Sequence, residues 1–242
     1  MIQNITLLAI SFVDFFYQKK IIEFLKKKNI NKIDIFFDVG AHKGESINLF
    51  LKNFKIKKII SFEASRINYN YLINKEEILK NKFKNSEIYI ENIALGAKNK
   101  KVFFKQFSES SSSTIKEINR KSKYFKRKFK LLNLWGNKKI YQKFKINVQK
   151  LSDYIKKKKI ENIDFLKIDT EGYEYEILIG LGKKINCVNI LMFEHHYDNM
   201  IKKNYTFNDI NGLLVKNNFK LIYKSKMPFR KTFEYIYKKK ER

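Results

Sequence analysis

From residue 33 onward, short apolar runs alternate along the chain with stretches of helical periodicity, which predicts a parallel sheet built from βαβ units. "DIFFDV" (34–39) scarcely alternates, so it reads as a strand buried on both faces, and the helix-like "ESINLFLKNF" follows it. "KKIISFEA" (57–64) gives a second strand, "INYNYLINKEEILKN" a second helical stretch, and "SEIYIENIALG" (86–96) a third strand ending in a turn. The rhythm resumes with "IDFLKIDTEG" (163–172), a helix "YEYEILIGLG" closed by Gly182, and "CVNILMFEHH" (187–196). A helix "TFNDINGLLVKN" with a capping Thr comes next, then "FKLIYKS" and "TFEYIYK" around a turn holding Pro228, which predicts an antiparallel closing hairpin.

Two segments depart from this pattern. Residues 97–148 carry the strand-like "KKVFFKQF" (100–107), the polar "SESSSST" (108–114), a basic stretch with Trp135, and "KFKINVQKL", with no clean helix before Leu151–Lys158. They read as an insertion of β-hairpin and loop at the domain edge, placed to cover or shape a substrate pocket. Within it, Ser110–Ser113 and Thr114 are expected to cap a helix beginning near Ile115. Residues 1–32 read as an N-terminal amphipathic helical segment ahead of one domain spanning 33–242. "ITLLAISFVDFFY" (Ile5–Tyr17) is too short for a spanning helix and is interrupted by Asp14. It lacks the basic flank and cleavage site of a signal peptide. Docking on the domain is the expected role, with peripheral membrane contact through the Lys-rich face as the alternative.

Composition narrows the function less than the charge suggests. One cysteine, Cys187, excludes a disulfide framework within the chain and fits a reducing, cytoplasmic compartment. A net charge of +28 points to acidic partners, but the lysines are spread along the chain, and the excess of Lys, Asn, Ile, Phe and Tyr matches compositional drift. "KYFKRKFK" (123–130) raises a nucleic-acid methylating reading. Against it stand the missing amide-activating tetrapeptide of the N-P-P-Y type and the missing RNA-binding module.

The candidate chemistry sits at the carboxyl ends of the predicted strands: Asp38, Glu63, Asn92, Asp169 with Glu171, and Glu194 with His195. In an open α/β sheet, ligands bind in the crevice outside those ends. The turn after the first strand, "GAHKG" (Gly40–Gly44), has neither G-x-G-x-x-G nor G-K-[ST], which disfavours dinucleotides and nucleoside triphosphates. A carboxylate before it, Asp38, repels phosphate and suits an ammonium group. Glu63, placed to accept from ribose hydroxyls, is otherwise a plain strand-end carboxylate. Taken together, an adenosine with a cationic amino-acid tail and no phosphate describes S-adenosylmethionine.

"FFDVGAHKGES", "IISFEAS", "IENIALG", the Ser-rich stretch and above all "IDFLKIDTEGYEYEILIGL" resemble the FkbM family of S-adenosylmethionine-dependent methyltransferases, over about residues 33–196. The resemblance implies a Rossmann-like class I methyltransferase fold: a seven-stranded, mostly parallel sheet with an antiparallel last strand and helices on both faces. It further implies O-methylation of a hydroxyl on a sugar, glycan or natural product. By position, Asp38, Gly40 and Gly44 would line the methionine end, Glu63 the ribose, and Asn92 and Ala94 the adenine. Thr170, Tyr173 and Ala64 depart from the family pattern in ways that bear on substrate fit. The candidate proton acceptors are Asp169, Glu171 and His195 or His196. Strand alternation allows only one of the two histidines to face the crevice, and His195 is taken as the candidate. A divalent cation, as in some O-methyltransferases, is an option but not the expectation. A basic binding protein with a degenerate methyltransferase domain is the non-enzymatic alternative; intact Asp38, Gly40, Gly44 and Glu63 argue against it.

Overall fold

A computed structural model describes residues 16–107, 112–133 and 141–240. The apolar runs form one sheet of seven strands: β1 (Lys32–Val39), β2 (Lys55–Phe62), β3 (Glu87–Glu91), β8 (Ile163–Ile168), β9 (Val188–His196), β11 (Phe219–Lys226) and β12 (Thr232–Lys239). Their order is β11-β12-β9-β8-β1-β2-β3. Every neighbouring pair from β9 to β3 is parallel, while β12 runs antiparallel to both β9 and β11. This is the expected mostly parallel sheet with a reversed last strand, closed by the Pro228 hairpin.

Alternation within each strand sorts the core into two layers. Phe36, Ile59, Phe165, Met192 and Ile236 face one side and pack against α1 (16–27), α2 (Glu45–Asn53), α3 (Arg66–Ile73) and α4 (Glu76–Lys82). Phe37, Ile60, Leu166, Leu191 and Tyr235 face the other and pack against α6 (Leu151–Lys157), α7 (Glu174–Leu181) and α8 (Phe207–Lys216). The last is started by the expected Thr206, whose hydroxyl and the Asp209 carboxylate form a reciprocal capping box. α1 is fastened by Ile21, Ile22 and Leu25 in the core and by the Tyr17 hydroxyl, which donates to the Ser225 carbonyl at 3.0 Å. Among the described residues no helix is long and apolar enough to cross a membrane. The apolar stretch at 5–15 and Trp135 lie outside those residues.

A second, three-stranded sheet stands at the edge. β4 (Ala94–Gly96) pairs in parallel with β7 (Tyr141–Lys150), which pairs antiparallel with β5 (Lys100–Phe107). Between β5 and β7 lie β6 (Glu117–Ile118), paired with β10 (Ile201–Lys202), and the basic helix α5 (Lys123–Asn133). The expected helix at Ile115 is absent. Instead Thr114 bridges to Lys105, its hydroxyl donates to the Glu171 carbonyl at 2.7 Å, and β6 follows. Thr114 is therefore a tie between the second sheet and the loop after β8, because its one hydroxyl hydrogen is committed there. Ser110 and Ser111 lie outside the described residues, and Ser113 accepts from the Phe107 amide.

Candidate active site

The turns after β1 and β8 meet backbone to backbone. The Gly40 amide donates to the Phe62 carbonyl and the Asp169 amide to the Val39 carbonyl, both at 2.9 Å. Gly40 is in the left-handed region (φ +87°), and a Cβ there would lie 1.8 Å from the Asp169 carbonyl oxygen. Gly40→Ala is therefore expected to cost about 2–5 kcal/mol, overpacking plus backbone strain, read as a lowered urea midpoint. A midpoint within error of the unsubstituted protein would refute this contact.

Beside these turns lies a cavity of about 300 Å³. One end is lined by Ala41, Glu63, Ala64, Ile93, Ala94 and Leu95; the other by Lys167, Asp169, Glu171, Glu194, Arg230 and Glu234. α1 and α2 contribute Tyr17, Ile21, Glu45 and Ser46. Glu63 is held by two amides: His42 N–H donates to Oε2 and Ser65 N–H to Oε1, each at 2.7 Å. Burial raises its carboxyl to about 7 in spite of these donors, which favour the ionised form. Lys43 also acts through its backbone, donating to Glu45.

Several expected ligand residues stand one layer behind the wall. Asp38 is fully buried; Ser46 Oγ donates to its Oδ2 at 2.5 Å, and Lys167 Nζ lies 3.7 Å from its Oδ1. It shares its strand face with Phe36, so it points beneath α2, and it reaches the cavity through Ser46 and Lys167, which do line it. Asn92 does not reach the cavity; its side-chain amide donates to the Glu63 carbonyl at 2.8 Å and fixes that residue's backbone. Gly44, also off the wall, is the left-handed residue that starts α2. Gly40, Glu63 and Ala94 stand on the wall as expected from the sequence.

Lys167 bonds Asp169 Oδ2 at 3.0 Å. Burial opposes its charge, but Asp169, Asp38 and Glu194 together hold the ammonium well above its ordinary range. Glu171 adopts φ +50° in the loop before α7, an uncommon conformation for a non-glycine residue, and its side chain is on the cavity wall. It precedes α7, which begins three residues later. Buried Glu174 opens α7 and braces the loop by accepting from the Thr170 and Gly172 amides and the Tyr205 hydroxyl.

The two histidines turn to opposite faces. His195 turns to the opposite face, its ring 4.8 Å from that of Tyr197 and 5.9 Å from that of Tyr205, and it is absent from the cavity wall. Burial, with Lys203 and His196 nearby, pushes it down to about 3, so it stays neutral. Because Glu194 faces the cavity, a period of two gives His196 the same facing, although His196 stands behind Glu171 and Glu194 and is not itself on the wall. Its Nε2 lies 3.3 Å from Glu171 and 3.7 Å from Glu194, and its Nδ1 3.0 Å from the Thr232 hydroxyl. Burial opposes its charge, yet Glu171, Asp198 and Glu194 raise it to about 10. Burial, then Asp169 and Glu234, push Glu194 well above the carboxylate range. Among the described residues no group of three or more His, Cys, Asp or Glu is arranged to hold a metal ion.

Sequence reasoning missed Lys167, Arg230 and Glu234 in the wall, whereas a share for the N-terminal segment, here α1, was part of the expectation. A lysine inside "IDFLKID" and a glutamate inside "TFEYIY" were visible signals, since a charge in an otherwise apolar strand is buried only with a partner.

The residues fit a phosphate-free adenosyl donor. An apolar slot of Ala64, Ile93, Ala94 and Leu95 adjoins a hydrogen-bonding carboxylate, and the far end is rich in acids. Lys167, the buried cation on the wall, is already engaged by Asp38 and Asp169. This sheet order, with the glycine turn after its first strand, is that of the class I methyltransferases. The family model described as the Methyltransferase FkbM domain matches residues 38–221, and the chain belongs to this family of S-adenosylmethionine-dependent methyltransferases. Its structure is similar to that of methyltransferase FkbM from Methylobacillus flagellatus KT, with a TM-score of 0.53 and 18% identity over 84% of this chain and 43% of that one. It is also similar to magnesium protoporphyrin IX methyltransferase from Synechocystis PCC 6803 with bound SAM: TM-score 0.52, 9% identity, 96% of this chain and 82% of that one. At these identities the likeness is one of fold, and the chain spans less than half the length of the Methylobacillus protein. No curated protein matches the chain in sequence.

Proposed function

We propose that the chain is an O-methyltransferase acting on a hydroxyl of a sugar, glycan or natural product. The observation that carries this reading is Glu171: a left-handed loop residue on the cavity wall with Asp169, its carboxylate 3.3 Å from the buried His196 ring. S-adenosylmethionine supplies an electrophilic methyl group on a sulfonium. Glu63 would hold its ribose, the Ala64–Ile93–Leu95 slot its adenine, and the Gly40–Ala41 turn with Asp169 its amino-acid end. Positioning of the two reactants contributes about 7–11 kcal/mol to such a reaction, and a general base adds about 10²–10⁴-fold. Glu171 takes the hydroxyl proton. Glu194, Glu234 and Arg230 supply further acceptors and a donor for the other hydroxyls of a polyol.

The test is radiolabelled methyl transfer into pools of soluble glycan, lipid-linked sugar and RNA. Label in a base-stable sugar ether supports the proposal; label confined to RNA overturns it. The Glu63 assignment has its own check in pH. The ionised carboxylate accepts from ribose hydroxyls, so donor affinity should fall by about tenfold per pH unit below about 7 and level off above it. Titration calorimetry that is flat between about pH 5.5 and 8 would remove Glu63 from the ribose site.

A further inference from the structure

Phe229 is the most exposed large apolar residue among those described, at 96%, and it is held at the tip of the β11–β12 hairpin with φ +59°. A bulky side chain in that backbone region is uncommon, and here the conformation presents the ring to solvent. Lys226, Arg230 and Lys231 lie within three residues of it in the hairpin, and residues 224–231 contain no acid. The tip belongs to the rim of the cavity, since Met227 and Arg230 on either side of it line the wall. The start of α1 reaches the same rim: Tyr17 and Gln18 line the cavity, and Tyr17 is bonded to Ser225 of the hairpin.

We propose that the β11–β12 hairpin tip, with the adjoining start of α1, seats on an anionic lipid surface, with Phe229 entering the headgroup boundary and the neighbouring cations meeting the lipid charge. Aromatic entry plus basic contact is the chemistry of interfacial membrane binding. A single-stranded nucleic acid is the poorer match. It is held by a groove with successive stacking rings, whereas this tip carries one ring at an apex, beside Met227 and Pro228. Seated this way, the cavity takes its acceptor from the membrane surface. The lipid contact requires neither donor nor acceptor, so it stands or falls separately from the reaction proposed above.

The test is co-sedimentation of the full chain with vesicles of phosphatidylcholine alone or mixed with phosphatidylglycerol, with Phe229→Ser and Phe229→Trp alongside. The chain should sediment with the mixed vesicles and not with phosphatidylcholine alone. Phe229→Ser should weaken that partition by about tenfold or more, the loss of one buried aromatic side chain, while binding S-adenosylmethionine as the unsubstituted chain does. Phe229→Trp should retain partition and gain, over the Trp135 background, an emission that shifts to the blue and is quenched by brominated lipid. Equal partition of the unsubstituted chain and Phe229→Ser would overturn the proposal. So would a Phe229→Trp emission unmoved by mixed vesicles, including the case where the chain is retained on an RNA pool instead.

Discussion

Glu171→Gln should lower kcat by about 10²–10⁴-fold while leaving the affinity for S-adenosylmethionine unchanged. The substitution keeps the size and the hydrogen-bonding reach of the side chain and removes its capacity to take a proton. The loop geometry survives it, because the loop is fixed by other groups: Thr114 on the Glu171 carbonyl, and Glu174 on the Thr170 and Gly172 amides. His196 is a positioning residue in this scheme. It faces Glu171 and Glu194 at Nε2, and Thr232 and Asp198 at Nδ1. Donor affinity is read by calorimetry and kcat by methyl transfer to the acceptor found in the pool assay. Glu171→Asp should recover part of the rate. A Gln variant as fast as the parent would move the proton acceptor to Asp169.

Lys167→Met should destabilise the fold by about 3–5 kcal/mol, the cost of leaving buried carboxylates without their cation. Asp38 Oδ1 has no hydrogen-bond partner, and Asp38 is wholly inaccessible, so the Lys167 ammonium at 3.7 Å is its compensating charge. The companion Asp38→Asn/Lys167→Met double variant should regain much of the loss, since it removes both charges from the same pocket. Urea unfolding of the three proteins measures this. A single variant as stable as the parent would show that Asp38 is satisfied without Lys167.

The sheet was legible because its strands are short, mainly apolar runs bounded by turn residues, and "FKLIYKS-KMP-FRK-TFEYIYK" announces a hairpin by its proline. Strand ends also located the cavity, since Glu63, Ala94, Asp169 and Glu171 all reach it. Facing was the part the local pattern did not resolve. His195 was preferred over His196, although Glu194 on the crevice already implies, by the period of two, that His196 shares its side. Asp38 was expected at the ligand, and its parity with Phe36 instead sends it under α2 to Ser46. The rest depended on tertiary pairing that no local pattern carries. Registering Asp38 against Lys167, and Glu194 against Glu234, assembles one polar row from strands far apart in sequence. Thr114 had the composition of a helix cap, but its hydroxyl found a carbonyl 57 residues away.

The contact between Gly40 and the Asp169 carbonyl divides the molecule by how it can change. On one side stand two turns joined through main-chain atoms, where no side chain can lengthen or shorten the separation and drift of sequence is filtered by the width of a single hydrogen atom. On the other stand α1, the hairpin and the second sheet, which reach the cavity through side chains and can be resized without disturbing that joint. An enzyme organised this way can hold its donor and its reacting groups in a fixed relation while its acceptor specificity wanders.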